Sequence, residues 1–164
     1  MLKRAARVHP QTCVHGPQGK EKDMYKVLIA VDGSAHANHA IEAVAKLPRE
    51  SDGLEVVLVN VSNPVYYGEI PASALQQVDE ARRGQQERVL EDAAQLVRAN
   101  GLTVGATHGT SGPVATEIVG LARETGAHLI ALGTRGMGAV GSLFLGSVAL
   151  GVVHQSHVPV LLVK

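Results

Sequence analysis

The chain has 164 residues, 45% of them hydrophobic, with 18 glycines and 15 Lys+Arg balanced by 15 Asp+Glu. Zero formal net charge lacks the basic footprint of a general nucleic-acid binder. Cys13 is the single cysteine, which excludes an internal disulfide framework, and no apolar run approaches the roughly 18–20 residues needed to span a bilayer. One cytoplasmic domain is expected, with a core of Val, Leu, Ile and Ala, since the aromatics are three tyrosines and one phenylalanine.

Residues 1–23 carry Pro10, Gly16, Pro17, Gly19 and a mixed-charge run from Lys20 to Asp23, with no sustained period, and read as a flexible tail. Its basic start is not followed by a hydrophobic region, so no secretory signal is expected. The domain is expected over 24–164. It opens with Tyr25 to Asp32, a β-branched run suited to a buried parallel strand. Ser34 is placed to cap a helix bearing Ala37, Ala40, Ile41, Val44, Ala45 and Leu47, which Pro48 ends. A second strand runs from Leu54 through Val61. The β–α–β spacing requires a right-handed crossover and a parallel pair.

A proline-bracketed loop over 62–71 holds Tyr66 and Tyr67, and a long helix is expected from Ala72 to Asn100, with Gly84 as a weak point. Leu102 to Thr107 reads as a weaker third strand. His108 to Pro113 reads as a turn into a helix from Val114 to Glu124, with Pro113 at its first position. Gly126 closes that helix; His128 to Leu132 is the fourth strand, Val148 to Gln155 the last helix and Val158 to Val163 the fifth strand. Five strands alternating with four helices imply a doubly wound α/β fold, a single parallel sheet with helices on both faces.

Between the fourth strand and the last helix, five glycines fall in fourteen positions, Gly133 to Gly146. Glycine is the costliest residue to order, so such a cluster marks backbone that bends sharply or approaches something closely. A strand, a glycine-rich loop and a helix start present backbone N–H groups and a helix dipole to an anion, such as a phosphate. The Walker pattern fails, because no Gly-Lys-Ser/Thr occurs. Gly136-Met137-Gly138-Ala139-Val140-Gly141 matches the dinucleotide fingerprint literally. That motif needs a carboxylate about twenty residues later, and no acidic residue follows Glu124.

The remaining pattern is Gly133-x-x-Gly136, nine residues, then Gly146-Ser147. With the strand ending Val31-Asp32-Gly33-Ser34 and the closing Val158 to Val163, it resembles the nucleotide-binding branch of the universal stress protein family over about residues 24–164. The resemblance implies a Rossmann-like sheet of order 3-2-1-4-5, with ATP, accompanied by Mg, in a cleft at the strands' carboxyl ends. By position it implies Asp32 at the ribose or a metal, and Ala30 and Val61 near the adenine. Gly133, Arg135, Gly136 and Met137 would wrap the ribose and phosphates, while Gly146, Ser147 and Val148 would meet the phosphates at the final helix start. Ala30 departs from the proline found there in some relatives, and Gly138 and Gly141 would loosen the middle of the loop. The chemistry of the residues agrees: glycine admits backbone, Ser147 adds a hydroxyl and an N–H, and Arg135 offers charge.

Blander roles compete. Asp32 could end a strand and cap a helix, and Arg135 and Met137 could serve surface and packing. The pairs His36/His39 and His154/His157 lack convergent ligands and read as solvated or capping side chains. His108, near a strand's carboxyl end, is a further site candidate. The leading expectation is an ATP-binding stress or signalling module with an unidentified signalling partner. A slow ATPase or phosphotransferase is the second, disfavoured because no general base or Walker lysine is evident. A nucleotide-free interaction module is the third. The last strand, a nearly all-apolar edge, invites pairing, and the family resemblance implies a homodimer through it.

Overall fold

The structure, a computed structural model, describes residues 24–48, 53–63, 72–136 and 145–164. The tail over 1–23, Tyr66 and Tyr67, Met137, Gly138 and Gly141 lie outside the described residues. In chain order the elements are β1 (Tyr25–Ala30), α1 (Ala35–Ala45), β2 (Leu54–Ser62), α2 (Ala72–Ala99), β3 (Thr103–Ser111), α3 (Val114–Glu124), β4 (Leu129–Gly133), α4 (Ser147–Gln155) and β5 (Val160–Val163). They form a five-stranded sheet of order β3-β2-β1-β4-β5 in which every pair is parallel.

Alternation along the strands divides the core in two. Val27, Ile29 and Val31 join Leu54, Val56 and Leu58 against α1 and α2. Leu28, Val57, Val59, Ile130 and Leu132 face the other way, against α3 and α4. Both faces are covered, which is why β1 and β2 are almost continuously apolar. Leu28, Ile29, Leu58 and Ile130 are fully buried, each stabilising the fold by about 1.5–3 kcal/mol relative to exposure.

Local chemistry sets the helix ends. The Ser34 side chain accepts the Ala37 N–H at the start of α1. Helices α2 and α3 stop alike: Gly101 (φ 71) and Gly126 (φ 66) turn left-handed. Leu102 then donates to Val97 O and Ala127 to Ala122 O, satisfying carbonyls the helix leaves open. Helix α2 runs unbroken through Gly84, where an added Cβ would meet nothing within 4 Å.

Several boundaries differ from the sequence reading, and three of the differences have a local physical cause. Strand β3 continues through His108 to Ser111, pairing with Val59 to Ser62, where a turn was expected. Its register shifts between Val56 and Val57, whose partners are Val104 and Ala106. Gly105 is the extra residue of a bulge, so Val104 packs with the α1/α2 cluster while Ala106, two residues on, packs with the α3/α4 cluster. Pro113 is the N-cap of α3, with extended backbone, rather than its first helical residue. Strand β5 begins at Val160 rather than Val158, because the Val158 N–H is turned to Ser156 Oγ and Pro159 has no N–H to give.

Among the described residues no helix is long and apolar enough to cross a membrane. The sheet order reverses between β1 and β4, one leading through α1 to β2 and the other through α4 to β5. Such a reversal leaves a crevice at the strands' carboxyl ends.

Candidate functional site

The crevice is a cavity of about 600 Å³, within the size range of small-molecule and cofactor sites. Its inner wall is apolar. Ala30 comes from β1, Val59 and Val61 from β2, Leu132 from β4, and Val114 and Ile118 from α3. Its mouth is polar, formed by Asp32, Thr134, Arg135 and Ser147 with Gly133, Gly136 and Gly146. Asp32 and Arg135 are the ionisable side chains among the described lining residues.

Each part of the mouth is positioned by a local bond. After β1, Gly33 turns with φ 82, and Asp32 Oδ1 accepts the Ser34 N–H at 3.0 Å. This short loop directs the carboxylate's residue to the cavity while Ser34 starts α1. On the facing side the Thr134 N–H donates to Val163 O at 2.7 Å, extending the edge pairing one residue past β4. The Gly146 N–H donates to Thr134 O at 2.8 Å, so the two ends of the glycine-rich segment are tied together.

Two glycines make this closure possible. A Cβ at Gly146 would lie 3.3 Å from Thr134 O and 3.6 Å from Arg135 Cα. A Cβ at Gly136 would lie 2.6 Å from Asp32 Oδ2. Backbone therefore approaches backbone, and backbone approaches a carboxylate, at distances that larger residues would disturb.

Helix α4 starts at this junction. Its N-cap is Gly146, with extended backbone and no side-chain capping bond, and Ser147 is its first residue. The opening N–H groups of a helix have no intrahelical partner, and they carry the positive end of its dipole. Ser147, Val148 and Ala149 line the cavity there. An apolar slot beside a cationic, N–H-rich end suits a ligand with a flat ring at one end and an anion at the other.

Of the residues expected at the site, Ala30, Asp32, Val61, Gly133, Arg135, Gly136, Gly146, Ser147 and Val148 all line the cavity. Met137 lies outside the described residues. His108 does not line it; it sits within β3, paired with Val59. The other described histidines also lie off the wall: His39 Nδ1 is 3.0 Å from Lys164 O, and the His36 and His39 rings meet edge-on. No group of three or more His, Cys, Asp or Glu suited to hold a metal occurs among the described residues.

Val114, Ile118 and Thr134 were not expected. Val114 and Ile118 stand one turn apart on α3, a spacing that reads as ordinary core. The signal for them is topological, since the crossover from β3 to β4 puts α3 on the same sheet face as α4 and the cavity.

The model of the universal stress protein family matches residues 24–164. A universal stress protein of Thermus aquaticus is 39% identical over 144 residues, covering 86% of this chain and 100% of the relative. Among solved structures, a universal stress protein family member from Burkholderia pseudomallei superposes with a TM-score of 0.62 at 28% identity, covering 85% of this chain and 95% of its own. A universal stress protein of Archaeoglobus fulgidus, solved in complex with dAMP, gives a TM-score of 0.57 at 24% identity, covering 86% and 98%. A family member from Arabidopsis thaliana with AMP bound gives 0.60 at 18% identity, covering 85% and 90%.

Proposed function

The chain belongs to the universal stress protein family, and from that membership and the form of its cavity we propose that it is a nucleotide-binding stress-response module whose ligand is ATP. The observation that carries this reading is the start of α4, uncapped by any side chain and opening at Gly146 and Ser147 onto an apolar-walled cavity. The adenine lies against Ala30 and Val61, with Val114 and Ile118 closing the slot. Asp32 takes the ribose hydroxyls, as acceptor. Gly133, Arg135 and Gly136 wrap the ribose and phosphates; Gly146, Ser147 and Val148 donate to the phosphates. The nucleotides held by the A. fulgidus and A. thaliana relatives support the choice of ligand class.

A magnesium ion fits this arrangement only as a companion of the phosphates, because Asp32 is the one carboxylate among the described lining residues. Bound there, it would neutralise phosphate charge. Binding rather than turnover is the assigned role: no histidine or lysine is among the described lining residues, which leaves Asp32 alone to orient an attacking water. Bound nucleotide acts as a signal, shifting the conformation offered to a partner, and the protein works as a cytoplasmic homodimer joined through β5.

Calorimetric titration with ATP, with and without magnesium, tests the proposal. Saturable binding of one nucleotide per chain is expected; its absence would leave only a nucleotide-free interaction module. Turnover above a slow background, lost in Asp32→Ala, would instead establish an enzyme.

A further inference from the structure

Asn60, near the carboxyl end of β2 and flanked by Val59 and Val61, is the buried polar side chain of the described core, 9% exposed. An amide buried in such surroundings is costly unless it is hydrogen-bonded. Its Nδ2 donates to Val31 O at 2.7 Å. That carbonyl lies where β1 leaves the sheet. The β1–β2 ladder ends with Ala30 opposite Val59, and one residue on, the Val31 N–H still donates to Val59 O at 2.9 Å. Both backbone groups of Val31 are thus held by β2, the N–H by its main chain and the carbonyl by the Asn60 side chain.

The next residue is Asp32, whose side chain accepts the Ser34 N–H and which faces the cavity. Asn60 itself does not line the cavity. By strand alternation it shares the α1/α2 face with Leu58, whereas Val59 and Val61 face α3 and the cavity. It is fixed in turn from α2, where Gln86 Nε2 donates to Asn60 O at 3.0 Å and to Thr110 O at 2.6 Å.

We propose that Asn60 is a positioning residue for nucleotide binding, pinning the Val31 carbonyl from behind the sheet so that Asp32 is held toward the ribose. Resting on the nucleotide reading above, this adds a residue that never touches the ligand. Losing the amide releases the Val31–Asp32 peptide, and affinity falls because the Asp32 carboxylate is no longer preorganised.

The test is a double-mutant cycle on the full chain, with ATP as probe in calorimetry and circular dichroism reporting the fold. Asn60→Leu keeps the volume and removes the donor; Asn60→Ala serves if the larger side chain perturbs folding. Either variant is expected to bind ATP roughly tenfold more weakly, the range of an unsatisfied buried polar group. In the Asp32→Ala background the same change is expected to cost no further affinity, since a shared route makes effects non-additive. A merely structural role would weaken binding equally in both backgrounds, and that result would overturn the inference. Unchanged affinity in the Asn60 variants would do the same while leaving the nucleotide reading intact. No ATP binding by the wild-type chain would remove that reading and this inference together.

Discussion

Gly133, at the end of β4, lies so close to His36 on α1 that a Cβ added to it would fall 2.7 Å from His36 Cβ and 2.9 Å from the His36 backbone carbon. Both atoms are tied to the helix and cannot swing aside. The glycine therefore sets how closely α1 approaches β4, a packing task separate from admitting a ligand. Gly133→Ala should lower stability by roughly 1–3 kcal/mol, the usual cost of overpacking. Urea unfolding measures this directly, and an unchanged midpoint would refute it.

Gly136 behaves differently although it belongs to the same pattern. Its added Cβ would meet the end of one flexible side chain, Asp32 Oδ2 at 2.6 Å, with Asp32 Cγ next at 3.8 Å. The carboxylate can rotate away, so Gly136→Ala should change stability by no more than about 0.5 kcal/mol. It should weaken ATP binding by roughly tenfold, the equivalent of about 1.4 kcal/mol, because the carboxylate is displaced. Titration beside a thermal melt separates the two glycines: position 133 registers in the melt, position 136 in the titration. A Gly136→Ala protein that binds as tightly as the wild type would show that Asp32 and the loop do not act together.

Much of this architecture is legible in the chain before it folds. Strands buried on both faces must be nearly all apolar, and β1, β2 and β4 are, so the parallel sheet follows from their composition. The glycine spacing from Gly133 to Gly146 likewise points to a crevice, since closely approaching backbone is what glycine permits. The chain is less informative where one residue serves two elements. The second half of β3, His108 to Ser111, is built of His, Gly, Thr and Ser and runs into Gly112-Pro113, a composition that resembles a turn although it pairs with β2. Val114 and Ile118 carry no local mark of a cavity, because an apolar pair one helical turn apart is identical in a core and in a ligand slot. Asn60 is a single polar residue in an apolar run, and its purpose appears only when Val31 is brought beside it.

The edge at β5 gives a prediction about assembly. Ile130 N–H donates to Pro159 O and Thr134 N–H to Val163 O, so the odd-numbered residues of β5 point their backbone groups toward β4. In a parallel ladder the intervening residues, Val160 and Leu162, then direct their N–H groups to the open edge. Wild-type protein should scatter light as a dimer at micromolar concentration. Leu162→Pro removes one outward N–H and spares the ladder to β4, so it should scatter as a monomer with its far-ultraviolet dichroism retained. A monomeric wild type would remove the β5 homodimer from the proposal, and a dimeric Leu162→Pro would move the interface elsewhere.

Gly151 occupies the middle of α4, where glycine costs about 1 kcal/mol relative to alanine by helix propensity. Propensity alone therefore predicts that Gly151→Ala stabilises. The packing argues the reverse, since a Cβ there would lie 2.8 Å from the Ala115 Cβ on α3. Helices α3 and α4 line the cavity from the same sheet face, so forcing them apart would also widen the slot between Ile118 and Val148. The steric term should win, because overpacking typically costs about 1–3 kcal/mol and neither Cβ has a rotamer to escape into. Gly151→Ala should then unfold at lower urea than the wild type. Ala115→Gly in the same chain should recover part of the loss, since it returns the missing space at the contact itself. If Gly151→Ala proves more stable than the wild type, the helices separate freely and the close contact has no role in shaping the site.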